Sequence, residues 1–315
     1  MKLTAEQRKK AKGEGFLSNR DGEHFSARII TGNGVLDAAQ LRNLSQAAET
    51  YGNGKITFTS RMTLEVPGIC YENIEPFKAF VAKEKMYTGG TGAKVRPVVA
   101  CKGTVCVFGL IDTQKLGQEI HERFFEGYDD VTLPHKFKIA VGGCPNNCVK
   151  PDLNDLGIVG QRVQKLQEDL CRGCKKCIIA SACPMNAIEV QDKRAQIDRE
   201  ICNNCGRCAE NCPFKAMPAG ENGYKIYIGG RWGKKTRVGN ALPRIFTHDE
   251  VLDMVEKAIL LFKREGTAKE RFGSMIDRLG TARVEEVLFS DELLEQKEGI
   301  LSGEIHGLLS AEHLD

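Results

Sequence analysis

Eight of the thirteen cysteines fall into two short runs of similar spacing, and this repeat constrains the fold more than any other feature. The runs are Cys171-x2-Cys174-x2-Cys177-x5-Cys183-Pro184 and Cys202-x2-Cys205-x2-Cys208-x3-Cys212-Pro213. A two-residue spacing lets one tight loop present three thiolates to three irons of a cubane cluster. A structural zinc ribbon uses two pairs of ligands instead, so two quartets indicate iron-sulfur clusters.

The second run has the spacing of bacterial ferredoxins, and the two runs together resemble a dicluster [4Fe-4S] ferredoxin. In that family the cysteine before proline binds the other cluster. The resemblance therefore implies one cluster on Cys171, Cys174, Cys177 and Cys212, and a second on Cys202, Cys205, Cys208 and Cys183. The x5 spacing lengthens the loop before Cys183 by two residues and leaves the ligand count intact.

The sequence predicts a cytoplasmic protein, which favours cluster ligation over disulfides. The N-terminus MKLTAEQRKKAKGEG has no apolar core of a secretory signal, and the strongest apolar run, AILLF, is too short to span a bilayer. The chain has 45 Lys and Arg residues and 42 Asp and Glu residues, so its net charge is +3. This overall charge does not indicate nucleic acid as a partner.

Five cysteines remain, and four of them form two close pairs. Cys70 has no partner in sequence and is expected to be a small buried side chain. Cys101 and Cys106 form a C-x4-C pair, and Cys144 and Cys148 form a C-x3-C pair. Two close pairs from distant segments supply four thiolates, enough for a third cubane or for a zinc site.

A strand with two lysines precedes the second pair, in the segment LPHKFKIAVGGC. Phe137, Ile139 and Val141 alternate with Lys136 and Lys138, so period two places both lysines on the face opposite the apolar one. The motif alone fits a solvated strand face as well as an anion site.

These segments resemble the siroheme-dependent sulfite/nitrite reductase family, in which two cysteine pairs hold a [4Fe-4S] cluster beside a siroheme. The resemblance implies that Cys148 bridges this cluster to the siroheme iron, that Asn146 in the same loop contacts the siroheme, and that Lys136 and Lys138 bind the substrate anion. The first pair of the family is usually C-x5-C, so the C-x4-C pair here is one residue shorter.

Three arginines extend the resemblance. Residues 25–69 read as strand, helix and strand, with the helical stripe Leu41, Leu44, Ala47 and Ala48. By the family pattern, Arg28 and Arg96 join the two lysines around the substrate, and Arg61 meets siroheme carboxylates. The glycine-rich segment YIGGRWGKKTRVGNAL, with Arg231, Lys234, Lys235 and Arg237, is expected to bind siroheme carboxylates as well.

The expected fold is α+β: a ferredoxin-like half-module and a siroheme/[4Fe-4S] domain that is interrupted by a 2[4Fe-4S] ferredoxin domain. The expected bounds are an N-terminal arm at 1–19, the half-module at 20–88, the siroheme domain at 89–164 and 223–265, the ferredoxin insert at 165–222 and a helical tail at 266–315. A capping box at Thr247 and Glu250 begins a predicted amphipathic helix that stops at a glycine.

The expected function is reduction of sulfite to sulfide with siroheme and three [4Fe-4S] clusters, with electrons entering through the insert from a ferredoxin or flavoprotein type of donor. The organisation resembles the siroheme subunit of anaerobic, dissimilatory-type sulfite reductases. Classical enzymes of the family carry two copies of the module, so one copy implies a homodimer or a paralogue pair. Nitrite reduction to ammonia, a non-catalytic electron carrier and a siroheme-binding sensor are the alternatives; no nucleic acid or membrane partner is expected.

Overall fold

The computed structural model describes residues 3–307, and its N-terminal part is a four-stranded antiparallel sheet with helices. The elements are α1 (Ala5–Gly13), β1 (Phe16–Ser18), β2 (His24–Ile29), α2 (Ala38–Tyr51), β3 (Thr57–Phe58), β4 (Leu64–Cys70) and α3 (Ile74–Val81). The strand order is β1-β2-β4-β3. Leu44 of α2 and Phe77 of α3 share one core with the sheet residues Phe25 and Val66.

This part differs from expectation at three places. β1 lies inside the expected arm, but it pairs with β2 and Phe16 is fully buried, so the half-module begins before residue 20. The segment KITFTSRMTLEV is a hairpin rather than one strand, and Arg61 lies in its turn beside Met62, whose φ is 60°. Leu44 and Ala47 of the predicted helical stripe are buried, whereas Leu41 is exposed.

The central domain is built on a five-stranded mixed sheet with the order β11-β10-β7-β6-β5. Its elements up to the insert are β5 (Val99–Ala100), α4 (Thr113–Ile120), β6 (Ile139–Gly142) and β7 (Leu156–Val163). β5, β6 and β7 run parallel, so the loops that follow β5 and β6 leave the same edge of the sheet. Both cysteine pairs outside the two quartets lie in those loops.

The cysteine-rich insert (residues 164–220) connects β7 to the strand that pairs with it. It contains α5 (Ile178–Ser181), β8 (Ile188–Gln191) and β9 (Arg194–Ile197), and the chain returns in β10 (Glu221–Ile228), followed by β11 (Asn240–Ala241). Val163 and Glu221 are register partners, so the insert leaves and rejoins the sheet at one position. Ile179, Ile188 and Met217 form a small core of its own.

Five helices complete the domain: α6 (His248–Glu265), α7 (Phe272–Leu279), α8 (Thr281–Phe289), α9 (Glu292–Glu295) and α10 (Lys297–Ser302). α6 begins after Thr247 with the predicted capping box and ends at Gly266, as predicted. The helical tail expected at 266–315 packs into the main core through residues such as Phe272, Ile276 and Leu288. Residues 308–315 of that tail lie outside the described residues.

The mixture of sheets and helices confirms the α+β class. Within residues 3–307, no helix is both long enough and apolar enough to cross a bilayer.

Candidate active site: a cationic cleft beside four cysteines

The structure brings the two cysteine pairs together at the carboxyl edge of the parallel strands. Cys101 directly follows β5 and Cys144 follows β6, and the Gly143 N–H donates to Cys101 Sγ at 3.1 Å. Burial raises the pKa of Cys144, and the neighbouring thiols of Cys148, Cys101 and Cys106 raise it further. The four thiols are therefore close enough to interact, and Cys148 is the exposed one.

The loops around these cysteines approach each other closely because of a glycine. A Cβ on Gly143 would lie 2.9 Å from the Gly103 Cα and 3.4 Å from Cys101 Sγ. Among residues 3–307, no group of three or more His, Cys, Asp or Glu side chains is arranged to hold a single metal ion. A cubane sets a different requirement, since its four thiolates bind four separate irons.

A cleft at the other end of β6 collects positive charge from four separate segments of the chain. Its cavity of about 250 Å³ is lined by five cationic side chains, Arg28, Arg61, Arg96, Lys136 and Lys138. The two lysines share this cleft, as their period-two spacing predicts. An arrangement of five cations around one cavity favours a small anion.

A second cavity of about 210 Å³ adjoins the cleft and shares Arg61 and Lys138 with it. Its remaining walls include Val99, Val149, Lys150, Asn154 and Trp232. Val149 and Lys150 directly follow Cys148 in the chain. The second cavity therefore extends from the lysine end of the site to the segment behind the exposed cysteine.

The three arginines of the cleft are held by different partners. Arg28 pairs with Glu65 at 2.7 Å, and Arg96 donates to the carbonyls of Gly90 and Gly92. Arg61 donates from Nη1 to Asn154 Oδ1 at 2.9 Å, and from Nη2 to the carbonyls of Pro97 and Ile139. Arg61 thus joins the hairpin turn of the half-module to the central domain.

Burial and crowded positive charge lower the pKa values of cationic side chains in the cleft. Burial lowers the pKa of Lys138 to about 8, with Arg61 and Lys136 adding to the effect. Burial also lowers the pKa values of Arg61 and Arg96 to about 10 and, with Arg271, lowers that of Lys136. A pKa of about 8 lets Lys138 exchange its proton readily near neutral pH.

Sequence reasoning missed a buried ion pair behind the lysines. Asp155 is fully buried, and both of its oxygens accept from Arg271 Nη2 at 2.8 Å. Asp155 Oδ2 also accepts the backbone N–H of Lys138 at 2.9 Å. Burial raises the pKa of Asp155, whereas Arg271 and the Lys138 N–H lower it and stabilise the ionised carboxylate. The one local signal was an acidic residue directly before the apolar strand LGIV.

Other predicted siroheme residues lie elsewhere. Arg237 bonds Asp277, Asn240 and the Gly229 carbonyl, and Arg231 bonds the Lys235 carbonyl and Ser274, so both guanidinium groups fasten their loop to the protein. From that loop, Trp232 lines the second cavity. Asn146 lies in a groove between the C-x3-C loop and the insert, and its backbone N–H lowers the pKa of the Cys144 thiol. The siroheme roles of these residues stay predictions.

The insert places Cys183, Cys202, Cys205 and Cys208 around one cavity, the grouping that the ferredoxin pattern implies. Cys171, Cys177 and Cys212 pack on the same small core. Cys205 and Cys144 line opposite sides of the groove between the insert and the central domain.

The donor chemistry fits an anionic cofactor and an anionic substrate. The Nε atoms of Arg61, Arg96 and Arg271 are buried and have no hydrogen-bond partner within residues 3–307. An unpaired buried donor is costly, so these guanidinium groups favour a carboxylate or an oxyanion as a neighbour. Four adjacent thiols likewise fit an iron-sulfur cluster.

Comparisons with known proteins identify the family of this chain. Residues 91–297 match the family described as nitrite and sulphite reductase 4Fe-4S domain, and residues 18–83 match the nitrite/sulfite reductase ferredoxin-like half domain. The coenzyme F420-dependent sulfite reductase of Methanocaldococcus jannaschii is 32% identical over 277 residues, covering 87% of this chain and 43% of that protein. A subunit of the anaerobic sulfite reductase of Salmonella typhimurium is 31% identical over 301 residues, covering 88% of this chain and 86% of that subunit.

The fold likeness extends to a solved structure. The crystal structure of dissimilatory sulfite reductase I (DsrI) covers 84% of this chain and 69% of that chain, with a TM-score of 0.67 and 21% identity. At that identity, the match is evidence for the fold.

Proposed function

Because this chain belongs to the nitrite and sulfite reductase family, we propose that it binds siroheme and reduces sulfite to sulfide. The observation that carries the proposal is the convergence of five cationic side chains on one cleft, with four neighbouring cysteines beyond the adjoining cavity. An electron carrier has no need of such an anion pocket, so the cleft favours an enzyme over a carrier.

The cleft residues would bind and orient the sulfite oxygens. Arg96 has an unpaired Nε, and Lys136 and Lys138 present ammonium groups to the same cavity. Arg28 contributes charge while its guanidinium stays paired with Glu65. Charge-assisted hydrogen bonds from these groups stabilise an oxyanion and hold it in one orientation.

Each oxygen of sulfite leaves as water, so the site must also deliver protons. Lys138 suits this role, because a pKa of about 8 leaves it protonated at neutral pH and lets it donate readily. Lys136 on the same face can hold the departing oxygen. Both lysines can be reprotonated from solvent, since neither is fully buried.

The cofactors that the family implies have candidate ligands in this chain. Cys101, Cys106, Cys144 and Cys148 would hold a [4Fe-4S] cluster, with Cys148 shared with siroheme, and Arg61 would meet siroheme carboxylates. When bound, siroheme coupled to this cluster supplies electrons to the sulfur of the substrate. The second cavity, with Lys150 and Trp232 in its walls, would hold the siroheme.

We also propose that the insert carries two further [4Fe-4S] clusters and admits the electrons. Its Cys183/Cys202/Cys205/Cys208 quartet is the one beside the central domain, across the groove from Cys144. The donor would be a ferredoxin or flavoprotein type of protein or subunit. Since this chain holds one copy of the module, we propose pairing with a second copy or a paralogue.

Composition and turnover on one anaerobic preparation test the proposal. Iron, acid-labile sulfide and siroheme are measured together. The expected result is about twelve cluster irons and one siroheme per chain, given three four-iron clusters. Reduced methyl viologen should then support sulfite turnover, and nitrite is assayed in parallel because the family covers both substrates. Absence of siroheme absorption bands after expression with siroheme synthesis intact would refute the catalytic proposal, and about eight cluster irons would mean that the C-x4-C pair builds no cluster.

A further inference from the structure

The two cysteine loops of the insert face different surroundings. The loop at Cys202–Cys205 faces the central domain, where the Arg162 N–H donates to the Asn204 carbonyl at 2.8 Å. Arg207, in the same loop, lies over the Phe108 ring with 5.0 Å to its centroid. This loop is covered on one side by the domain that contains the cleft.

The other loop, CRGCKKC, is exposed and basic. Arg172, Lys175 and Lys176 stand among the cysteines of the first quartet, and all three are exposed. Lys215, three residues after Cys212 of the same quartet, is exposed as well. None of these four side chains has an ion-pair or hydrogen-bond partner within the described residues.

Two large apolar side chains lie in the same segments. Ile178 directly follows Cys177 and is 56% exposed, and Phe214 lies two residues after Cys212 and is 44% exposed. Glu168, just before this loop, is paired with Arg194, whereas Asp169 and Glu210 are exposed acidic residues close by in the sequence. Exposed apolar side chains among charged ones are typical of a transient protein interface, and the charges on these segments are mainly positive.

We propose that this outer face, formed by Arg172, Lys175, Lys176, Ile178, Phe214 and Lys215, is the docking surface for an acidic electron-donor protein. The inference rests on the proposed function. It specifies that the donor is acidic and that it binds beside the quartet Cys171, Cys174, Cys177 and Cys212. In each encounter the donor is oxidised by one electron, and the insert is reduced by one electron without proton transfer. The inner loop then faces the acceptor side.

A charge-reversal variant tests the surface. Arg172→Glu/Lys175→Glu/Lys176→Glu is compared with the control Lys9→Glu/Lys10→Glu/Lys55→Glu, which changes the net charge equally at exposed residues of the half-module. Stopped-flow bleaching of the clusters by a reduced acidic 2[4Fe-4S] ferredoxin, without sulfite, gives the rate of electron entry. At low ionic strength, the rate of the first variant is expected to fall about tenfold or more, because oppositely charged surfaces steer association.

The salt dependence gives a second readout. The wild type and the control should react more slowly as salt rises, whereas the first variant should lose most of that dependence. Equal rates in the two variants, or an unchanged salt dependence in the first, would overturn the proposal.

Reduced methyl viologen needs no docking surface, so it should reduce the clusters of the wild type and of both variants. If the charge-reversal variant assembles poorly, Arg172→Gln/Lys175→Gln/Lys176→Gln replaces it. This neutral variant must also show a lower rate of cluster reduction and a weaker salt dependence, although both changes should be smaller. Failure of sulfite turnover with viologen would concern the proposed function alone, since cluster bleaching is measured without substrate.

Discussion

The buried Asp155–Arg271 pair supports the lysine strand, and Asp155→Asn tests that support. Asp155 is fully buried, accepts from Arg271 Nη2 through both oxygens at 2.8 Å, and accepts the Lys138 N–H at 2.9 Å. Removing one partner of a buried ion pair costs about 3–5 kcal/mol, because the other charge stays buried without compensation. At this chain length 1 kcal/mol corresponds to roughly 2 °C, so the Tm should fall by about 6–10 °C.

The double variant Asp155→Asn/Arg271→Met serves as the control. It removes both charges, so its loss in the free energy of unfolding should be about 1–3 kcal/mol smaller than the sum of the losses in the two single variants. Scanning calorimetry on anaerobic preparations of equal iron content measures all four proteins. Additive losses, or a Tm change below about 2 °C for Asp155→Asn, would refute the role of this pair in holding the strand.

The same variants should move the pH dependence of activity in opposite directions. Asp155 raises the pKa of Lys138, whereas Arg271 lowers it. A lysine that must be protonated to bind an anion loses activity as pH rises through its pKa, which is about 8 in the native cleft. The alkaline limb of kcat/KM for sulfite should therefore shift to lower pH in Asp155→Asn and to higher pH in Arg271→Met. A purely structural role for the pair would not produce opposite shifts.

Three further predictions concern single side chains. Lys138→Met should lower kcat/KM for sulfite by about 10²–10⁴-fold and abolish the alkaline limb near pH 8, as measured in a pH–rate profile. Cys148→Ser should lose the siroheme absorption bands and activity but keep the two insert clusters, as measured by iron and acid-labile sulfide; a variant that keeps the bands would refute the assignment. Arg61→Lys cannot reproduce the bonds to both Asn154 and Pro97, so urea unfolding should show a loss of about 2–4 kcal/mol, and an unchanged midpoint would contradict this.

Local spacing predicted those parts of the site that lie close together in the chain. Lys136 and Lys138 share a face because strand geometry repeats every two residues, and Cys144 and Cys148 lie in one loop. The grouping of Cys183 with the second run followed from the family pattern, and the cavity shared by these cysteines agrees with it.

Long-range pairings could not be predicted in the same way. Arg271 lies 116 positions from Asp155, in a helical segment that shows no chemical motif, and only packing of α7 on the core brings the two together. Arg237 likewise pairs with Asp277 on α7, a contact that its glycine-rich loop does not indicate. In both cases a tertiary contact from the last third of the chain supplies the ion-pair partner of a charged side chain.

The position of β6 relates the two cavities of the candidate site to each other. Lys138 comes directly before Ile139–Gly142 and Cys144 comes shortly after, and four residues of strand span roughly 13 Å. The lysines of the cationic cleft and the thiols therefore lie at opposite ends of one strand and cannot act on the same atom directly. The second cavity, which adjoins Lys138 at one end and Val149 and Lys150 at the other, occupies this interval. In the proposed function this interval would take the siroheme, with Cys148 on one side of it and the cationic cleft for the substrate on the other.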